Sequence, residues 1–210
     1  VYNGTSWDQL SNIPASATGG DTTAGVSPGN GYQYHVWTSP GSLTIEGGNV
    51  TADMLLVAGG GGGAGGMGSN NHAGGGGGAG GIAEVVGMPL AAGTYPVTVP
   101  TSNAGGGSGT TGVNAPNGSN GGDVTVSSTP AGTITAKGGG GGASGPSGSS
   151  NPGGSGGGGG SFDNKAGGSA TQPTQNPSQP LVTNYGNAGG QAGDSSADAS
   201  AAGGGGAGGS

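Results

Sequence analysis

Cysteine is absent from the 210 residues. The chain therefore has no disulfide framework and no thiolate to act as metal ligand or nucleophile. Arginine is absent too, and lysine occurs only as Lys137 and Lys165. With two cations and a net charge of −7, there is no basic patch to neutralise phosphates, which argues against nucleic acid as a partner. No apolar run approaches the ~20 residues that cross a bilayer, so no membrane span is expected. No segment carries a convincing helical period, and almost no α-helix is predicted. Leu, Ile, Val and Phe together number 24, and only Phe162, Leu181 and Val182 lie after Lys137. An oily core can form only in the first part of the chain.

What the chain has instead is glycine: 61 Gly, with 13 Pro. That composition ordinarily signals low complexity or disorder. Disorder also goes with high charge, and only 5% of these residues are charged. A weakly charged, weakly apolar chain is expected to satisfy its backbone amides with one another. Glycine runs fall at 59–66, 74–81, 105–109, 138–142, 153–160, 186–190 and 203–209, and GGGGGA recurs from Gly59, Gly74 and Gly138. A flexible linker explains any one such run. Linkers have no reason to match in length and sequence, whereas parallel rods do. The rod that suits glycine is the polyproline-II-type helix, with three residues per turn and its N–H and C=O groups directed sideways. With neighbours on all sides, such a rod needs glycine at nearly every position, because a side chain would hold the next backbone away.

Strand signals come from alternation and from β-branched and aromatic residues. They fall at 33–38 (QYHVWT), 42–46 (SLTIE), 53–58 (DMLLVA), 82–86 (IAEVV), 94–99 (TYPVTV), 123–128 (DVTVSS) and 133–137 (TITAK). Pro40 and Gly41 between the first two are a turn signal that predicts a hairpin. The opening VYNGTSWDQL could add an edge strand. The predicted fold class is all-β: a small antiparallel β-sandwich combined with a bundle of polyglycine-II helices. Residues 1–137 form the sandwich with inserted glycine rods, and residues 138–210 a glycine-rich region with a long loop, packed on the first part. Because the chain begins at Val1 and ends just past a glycine run, it is expected to be processed or part of something longer.

The stretch YQYHVWTSPGSLTIEGGNVTADMLLVAGGGGGAGG, with the later GTYPVTV, GGDVTVSS and TITAKGGGGG, resembles the glycine-rich module of tailed-bacteriophage fibres and related environmental surface-fibre proteins. The resemblance covers residues 1–142 well and the remainder by composition, and the insertion SFDNKAGGSATQPTQNPSQPLVTNYGN departs from it. It implies polyglycine-II rods as a scaffold, with the loops between them touching a host surface.

No catalytic constellation is evident, and the chain is expected not to be an enzyme. GxGxxG patterns match by composition alone, and no glycine run leads into a Lys-Ser/Thr phosphate loop. The carboxylates are scattered, the calcium-binding repeat GGxGxD is absent, and neither metal nor cofactor is expected. His35 lies within a strand signal and reads as structural. Loops between rigid rods are where recognition residues collect: 67–73, 143–152 and 161–187. They supply the receptor-contact candidates Asn70, Asn71, His72, Phe162, Asn164 and Tyr185, although Phe162, Leu181 and Tyr185 could equally cap the rod bundle against the sheet. Val1, Tyr2 and Asn3 are candidates for pairing with a neighbour's sheet edge. The expected partners are further copies of the chain and a host-surface glycan or protein. The expected function is a structural or adhesive subunit of an extracellular fibre on a virion or cell surface, most readily a phage tail-fibre protein. The alternative is the self-assembling protomer of a bacterial filament.

Overall fold

A computed structural model describes residues 14–21, 32–66, 72–101, 115–145, 148–161, 164–172, 181–193 and 200–208. Among them there is no helix, and eight strands lie in two sheets: β1 (Ser16–Thr18), β2 (Gly41–Glu46), β3 (Val50–Val57), β4 (Ile82–Leu90), β5 (Gly93–Thr98), β6 (Val124–Thr129), β7 (Gly132–Ala136) and β8 (Val182–Tyr185). One sheet has the order β1-β2-β5-β6-β7 and the other β3-β4-β8, with every pairing antiparallel. The all-β reading holds, and alternation is why. Val85, Met88 and Leu90 of β4 and Tyr95 and Val97 of β5 turn inward to meet Ile45, Leu56, Val126 and Ile134. The spacing of Met88 from Val85 is three rather than two because β4 carries a bulge opposite Ala52 and Met54. Gly87 occupies it at φ 71 and donates its N–H to Asp53 Oδ1 at 2.7 Å. That conformation favours glycine because it has no Cβ.

The hairpin predicted from 33–38 and 42–46 does not form. Both flanks of β2 are taken elsewhere: Ala17 pairs with Ile45 on one side, and Leu43 with Tyr95 on the other. Residues 33–38 are extended but are not a strand, and only Tyr34 makes an isolated bridge. Their course is fixed from residues 19–21 instead. His35 Nδ1 lies 2.8 Å from the Gly19 carbonyl oxygen. The Asp21 carboxylate accepts from the Thr38 and Ser39 hydroxyls at 2.6 Å each and from both backbone N–H groups. Pro40 ends a bend tied down by a side chain, not a two-residue hairpin turn. The other six strand signals are all realised. β1 and β8 arise where the sequence carries no clear signal, and residues 1–10 lie outside the described residues.

Candidate functional site

Between and beyond the strands the chain runs as extended rods, most of them glycine-rich: 58–66, 73–81, 115–122, 137–144, 148–154, 155–161, 165–171, 186–193 and 200–208. Their hydrogen bonds advance in steps of three. In rod 58–66, the N–H groups of Ala58, Gly61 and Ala64 donate to the carbonyls of Gly81, Gly78 and Gly75 at 3.1, 2.8 and 2.9 Å. Those of Gly59, Gly62 and Gly65 donate to Gly122, Ser119 and Pro116 in another rod. A helix with three residues per turn sends successive N–H groups in three directions, and each row meets one neighbour.

Rod 137–144 is the centre, and every residue of 138–145 is buried. All three of its rows are satisfied. Gly139 and Gly142 donate to Gly59 and Gly62, while Gly140 and Ala143 donate to Ser155 and Gly158. The third row is caught by side chains: Gly138, Gly141 and Ser144 donate to Asp123 Oδ1, Asn120 Oδ1 and Asn117 Oδ1 at 2.8, 2.9 and 2.8 Å. Asn117, Asn120 and Asp123 repeat at intervals of three and so stand in one line along their own rod. The need for glycine follows. A Cβ at Gly139, Gly140 or Gly141 would overlap the carbonyl oxygen of Gly78, Asn151 or Gly118 respectively. Two fully buried serines in the rods use their hydroxyls: Ser161 accepts the Ala73 N–H at 2.7 Å. Ser155 is fully buried, donates to the Gly206 carbonyl at 3.0 Å and accepts from the Asn187 N–H.

Two further groups fasten rods to sheets. Gln172, buried, accepts the Lys137 N–H at 2.7 Å and donates to the Thr135 carbonyl and to Asn184 Oδ1 at 3.1 Å each, joining β7, the central rod and β8. Lys137 Nζ meets Asp123 Oδ2 at 2.6 Å. Burial pushes the Asp123 carboxyl up, but the Lys137 ammonium and the Gly138 N–H outweigh it and hold the group below its ordinary value. Asp21 is held at about 2 by the Ser39 and Thr38 hydroxyls.

Three stretches differ from the sequence expectation. The run 153–160 is not one rod. Gly148, Asn151 and Gly154 donate to Ser144, Gly141 and Gly138 in descending order, whereas Gly140 and Ala143 donate to Ser155 and Gly158 in ascending order. The chain therefore reverses at Gly154–Ser155, where Ser155 turns its hydroxyl into the bundle. The loop expected over 143–152 is largely rod, and the loop expected over 161–187 contains both rod 165–171 and β8. Rods 115–122 and 165–171 hold few glycines, so composition conceals them; the Asn-x-x-Asn-x-x-Asp spacing of 117–123 is the signal that could have revealed the first.

Of the receptor-contact candidates, His72 is half-buried at the head of rod 73–81, and Asn164 is exposed with φ 52 ahead of rod 165–171. Tyr185 ends β8, where its hydroxyl donates to Glu84 Oε2 at 3.0 Å; that bond and the carboxylate's charge raise the phenol's pKa. Asn70, Asn71 and Phe162, and the strand candidates Val1, Tyr2 and Asn3, lie outside the described residues. Among the described residues no three His, Cys, Asp or Glu side chains gather as a metal site, and no helix is long and apolar enough to cross a membrane.

A family model described as a glycine-rich domain matches residues 37–210. No curated protein and no solved structure matches the chain.

Proposed function

This chain belongs to the glycine-rich domain family, and we propose that it is a non-enzymatic structural and adhesive subunit of an extracellular fibre, of the phage tail-fibre or appendage kind. The observation that carries the reading is the central rod. Its three rows of N–H groups are each bonded to a different neighbour, which makes the bundle a cross-braced beam continuous with a β-sandwich. A fibre subunit needs stiffness and a way to hold loops outward, and backbone-to-backbone bracing supplies the first without a large apolar core. In the sequence, Asn70 and Asn71 fall between two rods and Asn164 just ahead of a third, and their carboxamides are hydrogen-bonding groups suited to sugar hydroxyls.

The test is adhesion to host-surface polysaccharide by the full chain and by a variant with Asn70 and Asn71 changed to Ala and Asn164 changed to Gly, which accepts the φ of 52 at that position. Loss of adhesion at an unchanged melting temperature is expected. Equal adhesion by the variant would remove these loops from the contact surface, and no adhesion by the unaltered chain would remove the adhesive role. A second reading, the protomer of a self-assembling filament, is favoured by one observation: β3 is a long edge strand without a described neighbour on its outer side.

A further inference from the structure

We propose that the β3 edge, together with the rod that continues it, receives the β8 edge of a second copy, so that sheet and rods run on from molecule to molecule. This rests on the fibre reading and names the surface by which subunits would join.

β3 and β8 are the two edges of their sheet. Natural edges are blunted by shortness, lysine or proline. β3 has none of these: it is eight residues long, without Lys or Pro, and its one charged side chain, Asp53, is engaged by the Gly87 N–H. On the outer face of the sheet Leu55, Val57 and Val86 are 68%, 56% and 59% exposed, where large apolar side chains grouped together mark an interaction surface.

The edge does not end with the strand. In rod 58–66 two rows of backbone groups are bonded, while Gly60 and Gly63 are exposed and, among the described residues, neither donate nor accept. The fold does not itself demand glycine at these two positions. A Cβ would lie 3.6 Å from the Gly78 carbonyl oxygen at one and 3.7 Å from that of Gly75 at the other, both ordinary contacts.

An occupant of this edge must change from a two-residue to a three-residue period where the edge does, after Val57. An ordinary strand falls out of step there. The chain's own β8 does not. Val57 pairs with Ile82 and Ile82 with Tyr185, so β3 and β8 end level. Two antiparallel pairings make β8 parallel to β3, and each passes directly into a rod, 58–66 from one and 186–193 from the other. In the second rod Ala188 and Gln191 are exposed, and their N–H and C=O groups are unbonded among the described residues. Laid beside β3, the β8 edge of another copy sets strand against strand and rod against rod. The two edges differ, so the contact is heterologous and does not close on itself.

The experiment is sedimentation velocity with negative-stain microscopy across a concentration series. It compares the unaltered chain with Gly60→Glu/Gly63→Glu, with Gln191→Pro on the opposite edge, and with Gly206→Glu, where a Cβ meets nothing within 4 Å. Proline suits a polyproline-II rod and deletes only its own N–H, so Gln191→Pro reads the contact and not the fold. The unaltered chain and Gly206→Glu are expected to elongate, and the two edge variants to stay monomeric at an unchanged melting temperature. Each edge variant keeps one good edge, so a small admixture is expected to shorten the assemblies by capping them. An unaltered chain that stays monomeric at every concentration would overturn the proposal, as would edge variants that elongate like it. A monomer that still adheres to polysaccharide would overturn this contact and leave the adhesive reading standing.

Discussion

The Asn120 carboxamide oxygen accepts the N–H of Gly141 at 2.9 Å, and a buried backbone donor in the middle of the central rod is thereby satisfied by a side chain from the neighbouring rod. Asn120→Ala removes the acceptor and leaves that donor buried. Destabilisation of about 1–3 kcal/mol is expected, read as a lower denaturation midpoint. Asn120→Asp keeps an acceptor at the same place and is expected to recover most of the loss. Equal losses in the two variants would mean that the Nδ2 contact with the Pro152 carbonyl, at 3.3 Å, matters more.

Glycine should matter by position rather than by number. Gly141→Ala drives a Cβ into the Gly118 carbonyl, and overpacking of this kind costs about 1–3 kcal/mol or more. For a chain of this size that lowers Tm by roughly 2–4 °C per kcal/mol. Gly206→Ala meets nothing within 4 Å and is expected to be neutral or to stabilise by about 0.4–1 kcal/mol through the unfolded chain. Differential scanning calorimetry of the pair checks the contrast.

Gln172 closes three hydrogen bonds from a buried position. Gln172→Ala is expected to expose the Lys137 amide, which would lose its protection in hydrogen exchange while amides in β5 and β6 keep theirs. Uniform loss across all strands would show that the clamp supports the whole molecule instead of one junction.

Asp21 gives a pH signature. Its carboxyl is lowered from 3.8 to about 2, so the folded state holds the charged form more firmly than the unfolded state does. The stability it contributes is fully present above the unfolded value and is lost as pH falls through the folded one. Unfolding followed between about pH 4 and pH 2 is expected to show an acid-dependent loss that Asp21→Asn diminishes. Tryptophan fluorescence is a suitable probe, since the Trp37 ring lies against Gly19 and Gly41, on either side of this bend.

Much of this architecture is legible in the sequence, and the reason differs by region. Strands such as IAEVV and TITAK declare themselves through alternation because each buries one face. Rods 58–66 and 73–81 declare themselves through matched glycine runs, because close backbone approach on several sides permits little else. Rods 115–122 and 165–171 stay hidden because they lie at the rim, where Asn117, Asn120 and Lys165 are tolerated and glycine is not required throughout. β8 stays hidden because its four residues form a strand only by adding to β4. The failed hairpin at residues 33–38 shows the opposite error: alternation there is real, but both flanks of β2 are occupied by β1 and β5. Asn164 and Tyr185 are expected on one long loop, whereas the described part of 161–187 holds rod 165–171 and β8.

The buried central rod has a thermodynamic consequence. Heat capacity rises when apolar surface meets water and falls when polar surface does. Unfolding this bundle exposes peptide groups far more than hydrocarbon, and the residues after Lys137 contribute few large apolar side chains. The heat-capacity increment per residue should therefore fall below the roughly 12–15 cal/mol/K of ordinary globular domains. A smaller increment flattens the dependence of stability on temperature, so the protein should lose little of its stability on cooling, in contrast to domains held together by an oily interior.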